Sequence, residues 1–353
     1  MKILFTCALF AAFLLCPAAC ADGVRNGLSL AAQKALPALF PFFVISALWA
    51  RVGTPVFLSH FLARPLARLY RLPSTATPAV LLGLTGGYPV GAATASELLQ
   101  SGAIDKYDAI KINTFCNCAS PGFCIGLVGM NVFGSPRTGA VLYLIHLTAA
   151  LITGFFMVRL MENPSAGVFQ AQNMEPSASS REGFAAAFCG AVQQAALTSL
   201  TVVAFFTIFS VLISLLYPIR IFFPECAALS GLLELTNGLN ELSSLPLPQG
   251  AVLTLSSFLL GFGGLAVHFQ VKSIAVSCDY SIDGFFLAKV LHGVIAAAAT
   301  ALLFRISPTA LSVFAPINGE TWYGKSIWFI AGAAFLFLLF VAPIQIKRRT
   351  PGK

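Results

Sequence analysis

A chain of 353 residues that is 58% hydrophobic and only 10% charged cannot hide its apolar surface in a water-soluble fold, where about a quarter of residues are charged. Its mean hydropathy of +0.85 points the same way, to an all-α integral membrane protein. The net charge of +8 is not gathered into one stripe, which argues against a nucleic-acid groove, and the basic residues sit instead at the ends of apolar runs.

In chain order, residues 3–21 form the first apolar run. With its lysine and its small residues before Asp22 it resembles a signal peptide, but it is read as a retained membrane helix because the rest of the chain is itself membrane-spanning. A second run covers 35–52. Residues 54–72 alternate apolar residues with arginine, the pattern of an amphipathic helix on the membrane surface or of a charged loop. Irregular apolar segments follow at 76–99 and 110–133, then a regular run at 138–160. The stretch 162–182 is polar and reads as a linker. Beyond it lie runs at 197–217, 252–276 (irregular), 283–304 and 326–344. Arg51, Arg64, Arg68 and Arg71, together with Lys347, Arg348 and Arg349, predict that the 51–71 loop and the C-terminal tail face the cytoplasm. The organisation predicted is a leading helix and connector (1–34), a first unit (35–161), the linker (162–183), a second unit of similar plan (184–305) and a closing helix with a basic tail (306–353). His146 and His292 correspond in the last helices of the two units, as do Phe115 and Phe258 earlier in each.

Both units carry apolar segments broken by Gly, Pro, Asn or Ser. Unpaired backbone groups are not tolerated against lipid, so such breaks belong where helices are buried in protein or line a cavity. Paired breaks in two halves point to a transporter's binding site. The substrate-binding candidates are Gly86, Gly87, Tyr88, Pro89 and Gly91, then Asn117, Ser120 and Gly122, then Asn237, and finally Gly263, Gly264, His268 and Gln270. The glycines would free N–H groups towards an anion; close helix packing explains them too. Asn117 and Ser120 are equally suited to capping the interrupted helix. Glu234 is a carboxylate within an apolar run and is the candidate for binding a coupling proton or cation, the alternative being a position at the water boundary. Lys272 could meet substrate or snorkel, and the two histidines could carry protons or simply bond between helices. Cys116, Cys118 and Cys124 lack the two-pair spacing of a zinc site and read as reduced, buried thiols. No nucleophile elbow, nucleotide loop or metalloprotease motif occurs, so neither an enzyme, a metal, a cofactor nor a self-contained ATP-driven pump is expected.

The ordered motifs ALFPFFVIS (38–46), GGYPVGAATASELLQSGAI (86–104), INTFCNCASPGFCIGLVGMNVFGSP (112–136), GLLELTNGL (231–239) and SFLLGFGGLAVHFQV (257–271) resemble the sporulation integral membrane protein YlbJ family, which carries the nucleoside recognition or Gate domain. Cys116 and Cys118 depart from an Asn-rich stretch of that family. The resemblance implies two gate-type repeats and movement of dipicolinic acid across the outer forespore membrane. The partners expected are therefore the lipid bilayer, a small anionic substrate and a coupling ion or proton, with a homo-oligomer left open. A transporter of nucleosides, nucleobases or another small anion, and a non-transporting membrane scaffold for spore assembly, are the alternatives.

Overall fold

The computed structural model describes residues 2–52, 54–161, 183–216 and 227–306. The predicted linker at 162–182, and the predicted closing helix at 326–344 with its basic tail, lie outside the described residues. Everything described is helical or connecting; no strand occurs among the described residues.

The N-terminal elements differ from the sequence expectation. Helix α1 (Lys2–Leu15) stops before Cys16, and α2 (Pro17–Leu30) begins at once. Pro17 has no N–H to continue the ladder and its ring opposes the carbonyl four residues back. The expected helix over 3–21 is therefore cut, and at 1.5 Å per residue α1 is about 21 Å long, short of the roughly 30 Å bilayer core. From Pro17 the chain instead runs unbroken to Arg51, through a π turn at Ala31–Ala35 into α3 (Leu36–Arg51). Tertiary packing makes the polar residues 22–30 helical. A Cβ on Gly23 would stand 2.5 Å from Val211 Cα, and one on Gly27 would stand 2.8 Å from Thr207 Cα, so this face lies backbone to backbone against the neighbouring helix. That neighbour, α9 (Phe184–Leu215), starts thirteen residues earlier than its apolar run suggested, since nothing in its alanine-rich beginning breaks a helix.

Residues 54–70 form a helix, α4 (Thr54–Tyr70), the first of the two alternatives. Tyr70 at its end stacks on Phe115 with ring centroids 4.5 Å apart, and its hydroxyl donates to Leu151 O at 3.2 Å. Helices α5 (Thr77–Thr85) and α6 (Val90–Gln100) flank the first break. Helix α7 (Lys106–Phe115), capped by Asp105, then gives way to an irregular stretch before a π helix (Gly122–Val132) and α8 (Pro136–Leu160), capped by Ser135. In the second half α10 (Ala227–Leu233) and α11 (Leu235–Leu242) are split at Glu234, and α12 (Gln249–Phe262) and α13 (Gly264–Ser277) at Gly263. Helix α14 (Phe285–Ile306) follows.

Among the described residues, five helical runs are long and apolar enough to cross a membrane: Pro17–Arg51, Pro136–Leu160, Phe184–Leu215, Gln249–Ser277 and Phe285–Ile306. Large apolar side chains such as Leu197, Leu200, Phe286 and Leu302 point outward from two of them, as lipid contact requires. The inner faces are joined by small residues: a Cβ on Gly261 of α12 would stand 2.5 Å from Gly293 Cα of α14. One buried apolar cluster (including Leu39, Phe43, Phe123, Phe206, Leu239 and Leu253) ties α3, the π helix, α9, α11 and α12 together beneath the breaks.

Candidate functional site

Each break has its own local cause. At the first, the α5 ladder ends on Gly86, Gly87 takes φ +91°, and a cis Tyr88–Pro89 peptide leads into α6. The second break spans residues 116–120, between α7 and the π helix. Gly91 lets these two breaks meet, because a Cβ there would overlap the Cys116 carbonyl. Asn117 holds the crossing together. Its Oδ1 accepts from Ala92 N in the first turn of α6 at 3.0 Å, and its Nδ2 donates to Asn113 Oδ1 at 2.8 Å. Asn113 donates in turn to Tyr280 Oη at 2.9 Å, which lies 3.2 Å from Ser96 Oγ. Ser120 Oγ accepts from Phe123 N at 3.1 Å and so caps the π helix. Such a cap is worth about 1 kcal/mol.

The second half solves the same problem with a carboxylate. Glu234 is extended (φ −140°) and caps α11: its Oε1 accepts from Thr236 N at 2.9 Å, and its Oε2 from Asn237 N at 2.7 Å and Asn237 Nδ2 at 2.9 Å. It is only 2% exposed and has no ion pair among the described residues. Gly263, at φ +85°, separates α12 from α13 with no side-chain cap. That left-handed conformation favours glycine.

Three of the breaks and the helix after the fourth meet at one cavity. It is lined by Gly87 and Tyr88 from the first, Ser120 from the second, Glu234, Leu235 and Thr236 from the third, and Gln270 on the helix after the fourth, together with Leu39, Val202 and Phe206. Its volume is about 40 Å³, room for about three waters and far below the roughly 300 Å³ of the smallest usual ligand pockets. Gln270 is 4% exposed, and its Oε1 has no hydrogen-bond partner. Glu234 and Gln270 Oε1 offer acceptors to this space, and the Ser120 and Thr236 hydroxyls can also donate to it, a lining suited to water, a proton or a cation.

The other sequence candidates stand back from this cavity. Gly86, Pro89 and Gly91 shape the first break, and Gly122 packs against Ala38 and Phe42. Asn117 is committed to its network, with its Oδ1 on the start of α6 rather than on its own interrupted helix. Asn237 supports Glu234 and donates to Ser210 Oγ at 3.0 Å. Gly264 lies against Leu235 N and Glu234 Cα. His268 turns to Phe262 O at 3.1 Å within a cage of Phe262, Phe285 and Phe286. Lys289, which the sequence would bury only if its helix face were interior and which is not among the site candidates, is buried, with Nζ 5.1 Å from the Tyr88 ring centroid. The signal was present: a lysine inside an apolar 22-residue helix.

Helices of this length and apolarity around a buried, polar crossing of broken segments define an all-α polytopic integral membrane protein. The chain is 27% identical over 328 residues to the "Sporulation integral membrane protein YlbJ" of Bacillus subtilis (strain 168), a match that spans 83% of this chain and 80% of that protein. The similarity is to that one protein and runs over most of both chains. No family model matches the chain, and no solved structure does.

Proposed function

We propose that the protein is a membrane transporter for a small aromatic dicarboxylate, dipicolinate, acting at the outer forespore membrane of a sporulating cell with its C-terminus in the cytoplasm. The observation that carries this reading is the meeting at one cavity of three helix breaks, from both halves, with the helix that follows a fourth. Broken helices meeting at a buried polar point are the architecture by which a transporter holds its cargo while one bundle moves against the other. The cavity is too small for the cargo as it stands, so loading requires the halves to part along the Tyr88 and Gly263 breaks. Glu234, a buried carboxylate with no counter-ion among the described residues, is the proposed seat of the coupling cation or proton.

The test is uptake of labelled dipicolinate into proteoliposomes holding the purified chain, with uridine in parallel. Saturable dipicolinate uptake, absent from empty vesicles, is expected. Uptake of uridine alone would reassign the cargo to nucleosides. No flux of either through folded protein would leave the scaffold role.

A further inference from the structure

The described part of the chain buries two lysines, and they are treated differently. Lys111 is ion-paired with Asp108 and also donates to Arg71 O at 2.8 Å. Lys289, 1% exposed, has no carboxylate partner among the described residues. Its Nζ donates to the Asn117 carbonyl at 3.1 Å and reaches His292 Nδ1 at 3.4 Å, which leaves its third N–H for the face of Tyr88. The groups around it on each neighbouring element are His292 on its own helix, His146 on α8, Tyr88, Cys118 and, on α13, His268. None is a carboxylate. A buried ammonium without an anion is costly unless a ligand supplies one.

Proton bookkeeping around the cluster sharpens this. His292 accepts from Lys289 at Nδ1, so its own proton is on Nε2, which donates to His146 O at 2.9 Å. The His146 ring stacks on that of His292 with centroids 4.4 Å apart. His146 Nε2 accepts from Ala119 N at 3.0 Å, which puts its proton on Nδ1, and that buried N–H has no acceptor. One side of Tyr88 therefore holds donors in excess of acceptors. Tyr88 also lines the Glu234 cavity, which carries that carboxyl group and the unpaired Oε1 of Gln270. Tyr88 thus touches both regions, and it is fixed by a 2.9 Å bond from its hydroxyl to Leu260 O beside the glycine break. A Cβ on Gly263 would lie 3.5 Å from Tyr88 Oη and 3.6 Å from Lys289 Cε, so the break abuts both.

We propose that Lys289, with the His146–His292 pair beside it, is the anchor for a carboxylate of the transported anion, and that Tyr88 is the movable wall between this anchor and the cavity. The proposal rests on the transport reading and adds the residue that would contact the substrate carboxylate. Swinging Tyr88 away would join the two spaces, setting an anion at Lys289 and a cation or proton at Glu234 in one chamber. Opposite charges would then load together.

Thermal shift and calorimetric binding of dipicolinate to the purified full chain in detergent test it, with Lys289→Met as the main variant. An apolar residue of similar length removes an uncompensated buried charge but leaves the Asn117 carbonyl and His292 Nδ1 without their donor, so without ligand the two effects oppose one another and the midpoint should stay near that of the wild type. Its affinity for dipicolinate should fall about tenfold to a hundredfold, as the loss of one charge-assisted hydrogen bond predicts. Wild-type affinity in the variant overturns the proposal. So does a lowered midpoint without ligand, which would make Lys289 a structural residue. Tyr88→Ala is the second variant: faster dipicolinate association is expected, and an unchanged rate removes Tyr88 as the wall. Wild-type protein that moves dipicolinate in vesicles but shows no binding loss on Lys289→Met refutes the anchor alone. Protein with neither flux nor binding refutes the transport reading and the anchor together.

Discussion

The two halves of the molecule break their helices at corresponding places but stabilise the breaks with different chemistry. In the first half the helix start after the break is capped by a neutral side chain, Asn117 on Ala92 N; in the second it is capped by a carboxylate, Glu234 on Thr236 N and Asn237 N. Three residues before the matching histidines the contrast recurs. Tyr143 bonds the Leu84 carbonyl at 3.4 Å in the first half, while Lys289 bonds the Asn117 carbonyl at 3.1 Å in the second. Among the described residues, the buried acid and the buried amine without an ion pair, Glu234 and Lys289, thus belong to the second half, and the first supplies neutral counterparts and Tyr88, which meets both Lys289 and the cavity. A shared scaffold needs only caps and carbonyl partners, which neutral groups provide. The added charges exceed that need, which is why function is sought there.

The comparison can be broken at its tightest point. Gly91→Val forces a side chain into the Cys116 carbonyl and should cost about 3 kcal/mol or more, read as loss of monodisperse protein in detergent. Normal yield would mean that the first two breaks do not cross as described. Asn117→Ala leaves the buried Ala92 N–H without an acceptor and should lower stability by about 1–3 kcal/mol while sparing the ion dependence of transport. Glu234→Gln should do the reverse. It keeps an acceptor for α11, changes the midpoint by about 1 kcal/mol or less, and abolishes the ion dependence; an unaltered ion response would make the acidic cap merely structural. Gly263→Ala meets no atom closer than 3.5 Å, so only its left-handed backbone is strained, at about 1–2 kcal/mol. The smallest effect is expected at the exposed Lys106–Asp279 pair, 2.8 Å apart between α7 and the loop before α14. The Lys106 ammonium holds the Asp279 carboxyl below its ordinary value, so any contribution is present at neutral pH and lost as pH falls through that lowered value. Water screens the pair, and Lys106→Ala should leave the thermal midpoint unchanged at neutral pH.

Much of this was legible in the primary structure. Apolar composition fixed the all-α membrane class, and Gly86–Gly87, Pro89, Asn117 and Gly263 marked where helices stop, because backbone geometry and missing N–H groups act locally. Pro17 was equally visible, yet its consequence was misjudged when 3–21 was read as one helix. Residues 22–30 were missed for a different reason: their helicity depends on Gly23 and Gly27 meeting α9, a contact more than 180 residues away in sequence. The candidate site divides along the same line. Gln270 and Glu234 were picked out as polar groups in apolar runs, but that they face one cavity with Tyr88, while His268 turns into an aromatic cage, follows from how the breaks cross.

The sequence by itself determined that the chain is apolar enough for a bilayer, where its helices break and which few polar residues it carries inside them, because hydropathy, proline and glycine act through a residue's own backbone and its solvent. Only the tertiary structure decided which of those residues share a space: that Asn117 spends its hydrogen bonds on neighbouring helices, that Glu234 lines a cavity with Tyr88 while Lys289 meets the Tyr88 ring, and that neither finds a counter-charge among the described residues. Pairing of buried charges is a property of distance across packed helices, and spacing along the chain does not encode it.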